Sequence, residues 1–322
     1  MNSTRLQSLG RQLDLAVAPA PHVGAALPTR RCTASVLVGS LVALGATSVF
    51  AHVTLPPGGA TAGADYEAAF RVGHACKDTK ATTGLTVRLP KGFTLVDVPA
   101  RRGWKTEIRK AGDGEVQWTA ESPSTALPAS EKTEFLLRGK LPVTPGPLYF
   151  KVLQSCDQGS ADWAQLPAGG ADEKLEYPAA RLDVLAPGVA AVDIRDAWVR
   201  QTVPGQSGTG AFMKLSAPSG AKLVGASTPA AGVAEVHEMK MDGDTMRMRE
   251  VKGGLSLPPR EVVELKPSGY HLMLMDLKQP MTKGGRIALT LQFEDAKGVK
   301  SSRALEVPVG APAGAAADGH KH

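Results

Sequence analysis

The sequence has little excess charge, few aromatic residues and only three cysteines. Its formal net charge is +6, but residues 1–51 hold four arginines and one aspartate, so 33 basic and 30 acidic side chains follow them. That near balance argues against a nucleic acid partner. The sequence also lacks GxSxG, HExxH and a phosphate-binding glycine loop, which argues against hydrolases and nucleotide-binding enzymes. We therefore expect a protein that is not an enzyme of these classes.

The first 51 residues have the parts of an export signal. Arg30 and Arg31 precede an apolar run over 34–50, and the run ends at the small residue Ala51. A basic segment, an apolar segment and a small residue in this order are typical of a cleaved secretory signal. The run is too short for a membrane span, so we expect no stable span in the mature chain. Cleavage after Ala51 predicts a periplasmic protein that begins at His52.

Cysteine use fits an oxidising compartment. Cys32 lies in the leader and lacks the leucine of a lipobox ahead of it, so we do not expect a lipid anchor there. The remaining pair, Cys76 and Cys156, predicts a disulfide in an exported protein. A metal site with two cysteine ligands is the alternative, although no CxxC pair accompanies them.

Alternating apolar residues predict an all-β fold. Ile287, Leu289, Leu291 and Phe293 alternate with polar or small residues, and glycine or proline turns separate such runs. Eight of the nine methionines fall at or after Met213, which indicates two domains with different chemistry. We predict two β-sandwich or cupredoxin-like (Greek-key) domains joined by a short linker. The predicted ranges are a leader at 1–51, domains at 52–185 and 193–309, a linker at 186–192 and a disordered tail at 310–322.

The second domain carries paired histidines and methionines. In a strand, residues two apart share a face, so His271 and Met273 point the same way, as do His237 and Met239. Imidazole and thioether ligands together select Cu(I) over zinc, calcium or magnesium. The alternative is that the methionines only fill a core.

This domain resembles the periplasmic copper chaperone family PCuAC. The resemblance implies a cupredoxin-like barrel with Cu(I) ligands His237, Met248, His271 and Met273. The spacer between Met248 and His271 is 22 residues, one more than the family usually has. The other methionines are then alternative ligands or a thioether rim, with core packing expected for at least two of Met239, Met241, Met246 and Met275. Trp198 and Phe212 are expected in the core. The segments that carry the resemblance are Asp196-Ala-Trp198-Val-Arg200, His237-Glu-Met239, Met246-Arg-Met248-Arg and Gly269-Tyr-His271-Leu-Met273-Leu-Met275.

The first domain offers a possible Cu(II) site at its N-terminus. An N-terminal histidine can chelate one metal through its free amine and Nδ1, and nitrogen donors in a plane suit Cu(II). Binding must displace a proton from the amine. The alternative is that His52 merely follows a cleavage site.

Six short segments of the first domain, followed by Trp163, form a recognisable set: His52-Val-Thr-Leu, Phe70-Arg-Val-Gly-His74-Ala-Cys76, Gly103-Trp104, Glu134-Phe135, Leu148-Tyr-Phe150 and Gln154-Ser-Cys156. Through these segments, residues 52–185 resemble the YcnI-like family. The resemblance implies a Cu(II) site of His52, Glu134 and Trp163, with Trp163 better suited to a hydrophobic wall than to direct ligation. His74 lies beside the predicted disulfide, and we expect a structural role for it.

Three functions compete on this reading. The first, which we favour, is an exported copper chaperone and not an enzyme. It binds Cu(I) and Cu(II) and delivers copper to a recipient protein. By family resemblance, that recipient could be the copper centre of cytochrome c oxidase. The second is a copper oxidase or monooxygenase with a histidine chelate, which would need a second histidine such as His74. The third is an adhesion-like β-sandwich without a metal.

Overall fold

The computed structural model describes residues 52–169, 173–243 and 245–311. Every regular element in these ranges is a β-strand, which confirms the predicted all-β fold. The expectations for the leader, including Cys32, and for the tail from residue 312 onward lie outside the described residues. No helix in the described ranges is long and apolar enough to cross a membrane.

The first domain contains strands β1 to β11. They form one sheet in the order β1-β11-β9-β3-β6-β5, with β10 on β9 and β7 on β3, and a second sheet in the order β2-β8-β4. The strands are β1 Ala60–Thr61, β2 Asp65–Val72, β3 Ala81–Arg88, β4 Thr94–Asp97, β5 Trp104–Arg109, β6 Glu115–Ala120, β7 Leu127–Pro128, β8 Thr133–Lys140, β9 Gly146–Cys156, β10 Ser160–Trp163 and β11 Ala180–Leu185.

Aromatic rings from both sheets meet in the first core. Phe70 of β2 packs edge-on against Phe150 of β9 with ring centroids 5.4 Å apart. Phe135 of β8 lies 5.6 Å from Trp118 of β6. All four side chains are buried in one cluster. This is the sandwich arrangement that the alternating strands predict, because each sheet buries one face against the other.

The second domain contains strands β12 to β21. One sheet has the order β12-β13-β18-β19-β15-β16, with β13 also pairing with β19, and the other has the order β17-β14-β20-β21. The strands are β12 Asp193–Val199, β13 Gly208–Ser216, β14 Ala221–Ser227, β15 Ala231–Asp242, β16 Thr245–Glu250, β17 Leu255–Leu257, β18 Val262–Leu265, β19 Tyr270–Leu277, β20 Arg286–Glu294 and β21 Lys300–Pro308.

The second core is aliphatic. Leu272 and Leu274 of β19 join Leu289 and Leu291 of β20 in one buried cluster, so this domain too is two sheets packed face to face. The cupredoxin-like detail of its topology stays a prediction.

Part of the predicted linker packs with the second core. Ala190 and Val192 are buried there, and Val189 pairs with Ser302 of β21. These apolar side chains gain from burial, which explains why the segment is ordered against the sheet.

Candidate metal centres

Core residues and candidate metal ligands alternate along strand β19. Leu272 and Leu274 face the core and are fully buried. Because successive side chains point to opposite faces, His271 and Met273 lie on the outer face of the same sheet. The outer face therefore receives the imidazole and the thioether that the sequence predicts to act together.

The two histidines of this domain lie directly opposite each other. His237 of β15 pairs with His271 of β19 in the antiparallel register, and their ring centroids are 6.0 Å apart. Both residues are buried. Their sequence separation of 34 residues gave no local signal for this pairing.

Met248 completes a nitrogen and sulfur pair with His271. The Nε2 atom of His271 lies 3.2 Å from Sδ of Met248, and Nδ1 lies 3.1 Å from the carbonyl oxygen of Gly269. When Nδ1 donates to that carbonyl, Nε2 carries a lone pair beside the sulfur. Burial lowers the pKa of His271, and this outweighs the opposing effect of the hydrogen bond to Gly269. The neutral imidazole, which is the form that binds metals, is favoured.

Of the two ring nitrogens of His237, one has a polar partner and the other does not. Its Nε2 atom is 3.2 Å from Oε2 of Glu235. Its Nδ1 atom is buried and has no hydrogen-bond partner among the described residues. A buried polar atom without a partner is costly, and ligation by a metal would relieve that cost. The arrangement fits a soft cation held by imidazole nitrogen.

Met273 lies on the same face, next to a glycine that leaves space for its side chain. It pairs with Glu235 of β15 and with Gly210 of β13. A side chain at Gly208 would come within 3.0 Å of the Met273 methyl group, so the glycine leaves that space open. The four predicted Cu(I) ligands thus share one face of neighbouring strands.

The other methionines on this face do not pack in the core, contrary to our expectation for at least two of them. Met241 and Met246 are exposed, and Met239 and Met275 are only partly buried. The methionines in the described core are Met213 and Met281. Strand parity explains the difference, because residues 239, 241 and 275 share a face with the histidines.

Phe212 is buried, as expected, whereas Trp198 is only partly buried. Their rings pack against each other with centroids 4.5 Å apart, and the guanidinium of Arg200 lies 5.3 Å from the Phe212 ring. Neither ring joins the aliphatic cluster that lies between the two sheets. Phe212 alternates with Ala211 and Met213 of that cluster, so its buried ring points to the opposite face of the sheet, which also carries the histidines.

In the first domain, His52 lies beside Trp163. The ring centroids are 5.7 Å apart, and Tyr177 packs on Trp163 at 5.2 Å. Trp163 is buried and its Nε1–H donates to Oε1 of Gln154 at 3.0 Å. An indole that already donates to an amide is suited to a wall beside the histidine rather than to ligation.

Glu134 is held by arginines. Its Oε1 atom accepts from Nε of Arg71 at 2.9 Å, and its Oε2 atom accepts from Arg260 of the second domain at 3.0 Å. Thr54 forms an isolated β-bridge with Arg71 of β2, and Arg71 pairs with Glu134 of β8, so the three residues form a row across the sheet. At roughly 4.8 Å per strand, Glu134 is on the order of 10 Å from Thr54. The carboxylate is near the N-terminal segment but engaged elsewhere.

Cys76 and Cys156 are joined in a disulfide, as predicted, with their Cα atoms 6.1 Å apart. Gln154 organises this region: its Nε2 donates to the His74 carbonyl at 2.8 Å and to the Thr82 hydroxyl at 2.7 Å. Because its oxygen also accepts from Trp163, both the nitrogen and the oxygen of this buried amide have hydrogen-bond partners. Sequence reasoning missed the roles of Gln154 and Arg260. For Gln154 the available signal was a polar residue two positions before a cysteine. The sequence held no signal for the role of Arg260.

No group of three or more histidine, cysteine, aspartate or glutamate side chains in the described ranges could hold a metal ion. The thiols are consumed in the disulfide, so the alternative of a two-cysteine metal site does not hold.

Comparisons with known proteins match each domain separately. A family model described as "Putative lipoprotein LpqE-like" matches residues 192–309, and one described as "Domain of unknown function (DUF1775)" matches residues 52–184. The chain is 34% identical over 118 residues to "Putative lipoprotein Lxx21020" of Leifsonia xyli subsp. xyli, which covers 37% of this chain and 69% of that protein.

Three similar solved structures each match part of this chain. A protein of Nocardia farcinica with an immunoglobulin-like fold is 26% identical, with 41% of this chain and 97% of that chain covered and a TM-score of 0.37. The copper-bound PCuAC domain from PmoF2 is 23% identical, with 38% and 96% covered and a TM-score of 0.31. The Cu(I) form of DR1885 from Deinococcus radiodurans is 28% identical, with 38% and 78% covered and a TM-score of 0.27. The chain therefore belongs to the LpqE-like family through its C-terminal, PCuAC-like domain, and its N-terminal domain is a DUF1775 (YcnI-like) domain.

Proposed function

We propose that this protein is an exported copper metallochaperone with one site for each oxidation state of copper. The second domain binds Cu(I) through His237, Met248, His271 and Met273. The first binds Cu(II) through the mature N-terminal His52, with Glu134 as a carboxylate ligand and Trp163 as a wall. The lipoprotein descriptions of the family model and of the Leifsonia relative support export.

One observation carries the Cu(I) half of the proposal. A histidine Nε2 atom and a methionine sulfur lie 3.2 Å apart, beside a second histidine on the facing strand. Imidazole nitrogens and neutral thioethers stabilise a soft monovalent cation, whereas hard divalent ions prefer oxygen. Small movements of the side chains would admit copper between these atoms.

The exposure of the site favours delivery over catalysis. Met248 is 48% exposed, so a ligand of the bound ion faces solvent and a recipient protein could replace it. We propose that copper passes to a partner of this kind, such as the copper centre of cytochrome c oxidase. Neutral thioethers bind without losing a proton, so exchange at these positions needs no base.

Metal stoichiometry on the mature full chain tests both halves. We expect one tightly bound Cu(I) per chain under reducing conditions, and its loss in a His271→Leu, Met273→Leu variant. We expect one Cu(II) in a chain that begins at His52, and none in a matched chain with one extra glycine before His52. Equal Cu(II) binding by the two chains would reject the N-terminal site. Retention of tight Cu(I) in the double variant would reject the other. Oxidised sugar products with ascorbate would instead favour the monooxygenase alternative.

A further inference from the structure

The β15–β16 hairpin carries more methionine than one copper site needs. Met241 lies directly opposite Met246, and Met239 lies directly opposite Met248, in the antiparallel register. All four residues share the face of His237, because they lie an even number of positions from it or from its cross-strand partner Glu250. A ladder of two thioether pairs therefore leads from the histidines to the hairpin tip.

Burial does not account for these side chains. Met241 is 56% exposed and Met246 is 50% exposed, and every residue of β16 is exposed. Methionine usually fills irregular gaps in a core, as the buried Met213 and Met281 do here. Two paired thioethers in water at a hairpin end gain little from packing, which leaves ligand chemistry as the property that distinguishes them.

The tip pair is too far from the histidines to join their site. Four residues along β15 separate His237 from Met241, which is roughly 14 Å at the rise of an extended strand. Directly opposed Cβ atoms in an antiparallel pair are about 4.5–5.5 Å apart, so Met241 and Met246 can place both sulfurs on one ion. Met239 is the diagonal neighbour of Met246 and can supply a third sulfur.

The charges around the tip do not oppose a monovalent cation strongly. Arg247 and Arg249 lie on the opposite face of the hairpin, and the carboxylate of Asp242 pairs with both, at 3.4 Å and 3.0 Å. These guanidinium groups are therefore partly neutralised. Thioethers themselves are uncharged and select Cu(I) or Ag(I) over harder ions.

We infer that the hairpin tip is a second, all-thioether Cu(I) site formed by Met241 and Met246, with Met239 as the third ligand, that loads the histidine site. Copper moves inward as Cu(I) by stepwise exchange of one sulfur ligand for the next, so no electron is transferred and no external oxidant or reductant is needed. The loading role rests on the proposed function, whereas binding at the tip does not.

Titration of the mature full chain with Ag(I), and with Cu(I) against a competing chelator, tests the site. The wild-type chain is expected to bind two ions, the second more weakly. The Met241→Leu, Met246→Leu variant should bind one, because leucine keeps volume and apolarity but removes sulfur. Met281→Leu, which removes a buried sulfur, is the matched control and should bind two. Methionine methyl NMR should show the tip methyl signals shifting with the second equivalent.

Failure of the two proposals can be told apart. The His271→Leu, Met273→Leu variant should lose the tight ion and keep the tip ion. A wild-type chain that binds one ion, or a tip variant that still binds two, would overturn the second site without affecting the first. A tip variant that loads the histidine site as fast as the wild type would overturn the loading role; we expect its loading rate to fall several-fold with the final affinity of the histidine site unchanged.

Discussion

Arg260, in the turn between β17 and β18 of the second domain, donates to Glu134 of the first domain at 3.0 Å. The same guanidinium donates to Glu67 at 2.8 Å. Arg260 adopts a φ of +64°, which is uncommon for a residue with a side chain. One turn residue thus engages two carboxylates of the other domain, and one of these is the proposed Cu(II) ligand. Copper at Glu134 would compete with this guanidinium for the carboxylate.

Replacing Arg260 should therefore tighten Cu(II) binding. The Arg260→Gln variant lacks the guanidinium that binds Oε2 of Glu134, so copper would no longer compete with it for the carboxylate. Both side chains are partly exposed, and such pairs are worth at most about 1 kcal/mol, so we expect up to about a fivefold lower Kd. Competition titration with the chain that begins at His52 measures it.

Arg138→Gln is the matched control for Arg260→Gln. Arg138 also bonds Glu67, at 2.9 Å, but the Glu134 carboxylate is held by Arg71 and Arg260. We expect an unchanged Cu(II) affinity in this control. An equal or weaker affinity in Arg260→Gln would show that Glu134 does not bind copper.

Met248 should contribute more to Cu(I) affinity than Met275, which lies on the same face of the sheet. Met248→Leu removes the sulfur that lies 3.2 Å from His271, and we expect Cu(I) affinity at the histidine site to fall at least about tenfold, or ~1.4 kcal/mol. Met275→Leu, one strand repeat beyond Met273, should change it little. Chelator competition under reducing conditions distinguishes them. Equal losses in the two variants would mean that strand position does not select the ligand.

The apo protein should lose stability as pH falls below neutrality, in part through His271. Burial lowers the pKa of this imidazole in the fold, so the unfolded chain takes up its proton first. The free energy of unfolding then decreases as pH drops below about 6.5, the ordinary histidine value, and levels off below the folded pKa. NMR titration of the ring should give a midpoint below 6.5, and urea unfolding of His271→Asn should show a smaller pH dependence. A midpoint above 6.5 would contradict the burial argument.

The disulfide should stabilise the first domain alone. It closes a loop with a sequence separation of 80, and chain-entropy reasoning gives on the order of 4 kcal/mol. Replacing Cys76 and Cys156 with alanine should lower the melting temperature of that domain and leave the second domain's transition in place. Calorimetry resolves the two transitions. A matched fall in both would indicate that the domains unfold together.

Local sequence pattern was enough for the strands and their faces. The alternation from Ile287 to Phe293 predicted a half-buried strand, and β20 buries these four apolar residues. The same periodicity placed His271 and Met273 on one face. Period-2 patterns work because the pleat fixes which side chains share a face, whatever the tertiary partner is.

Pairing between distant strands was beyond that pattern. The facing of His237 with His271 depends on the register of β15 and β19, and the contact of Arg260 with Glu134 joins residues 126 positions apart. Such contacts depend on how whole strands and domains meet rather than on neighbouring residues.

The alternation of core and outer-face residues along β19 has a consequence for how this protein can evolve. Its even-numbered leucines maintain the hydrophobic interior, while its odd-numbered histidine and methionines lie on the outer face. Substitutions on the outer face can therefore change which side chains the sheet offers to a ligand without removing the residues that hold the two sheets together.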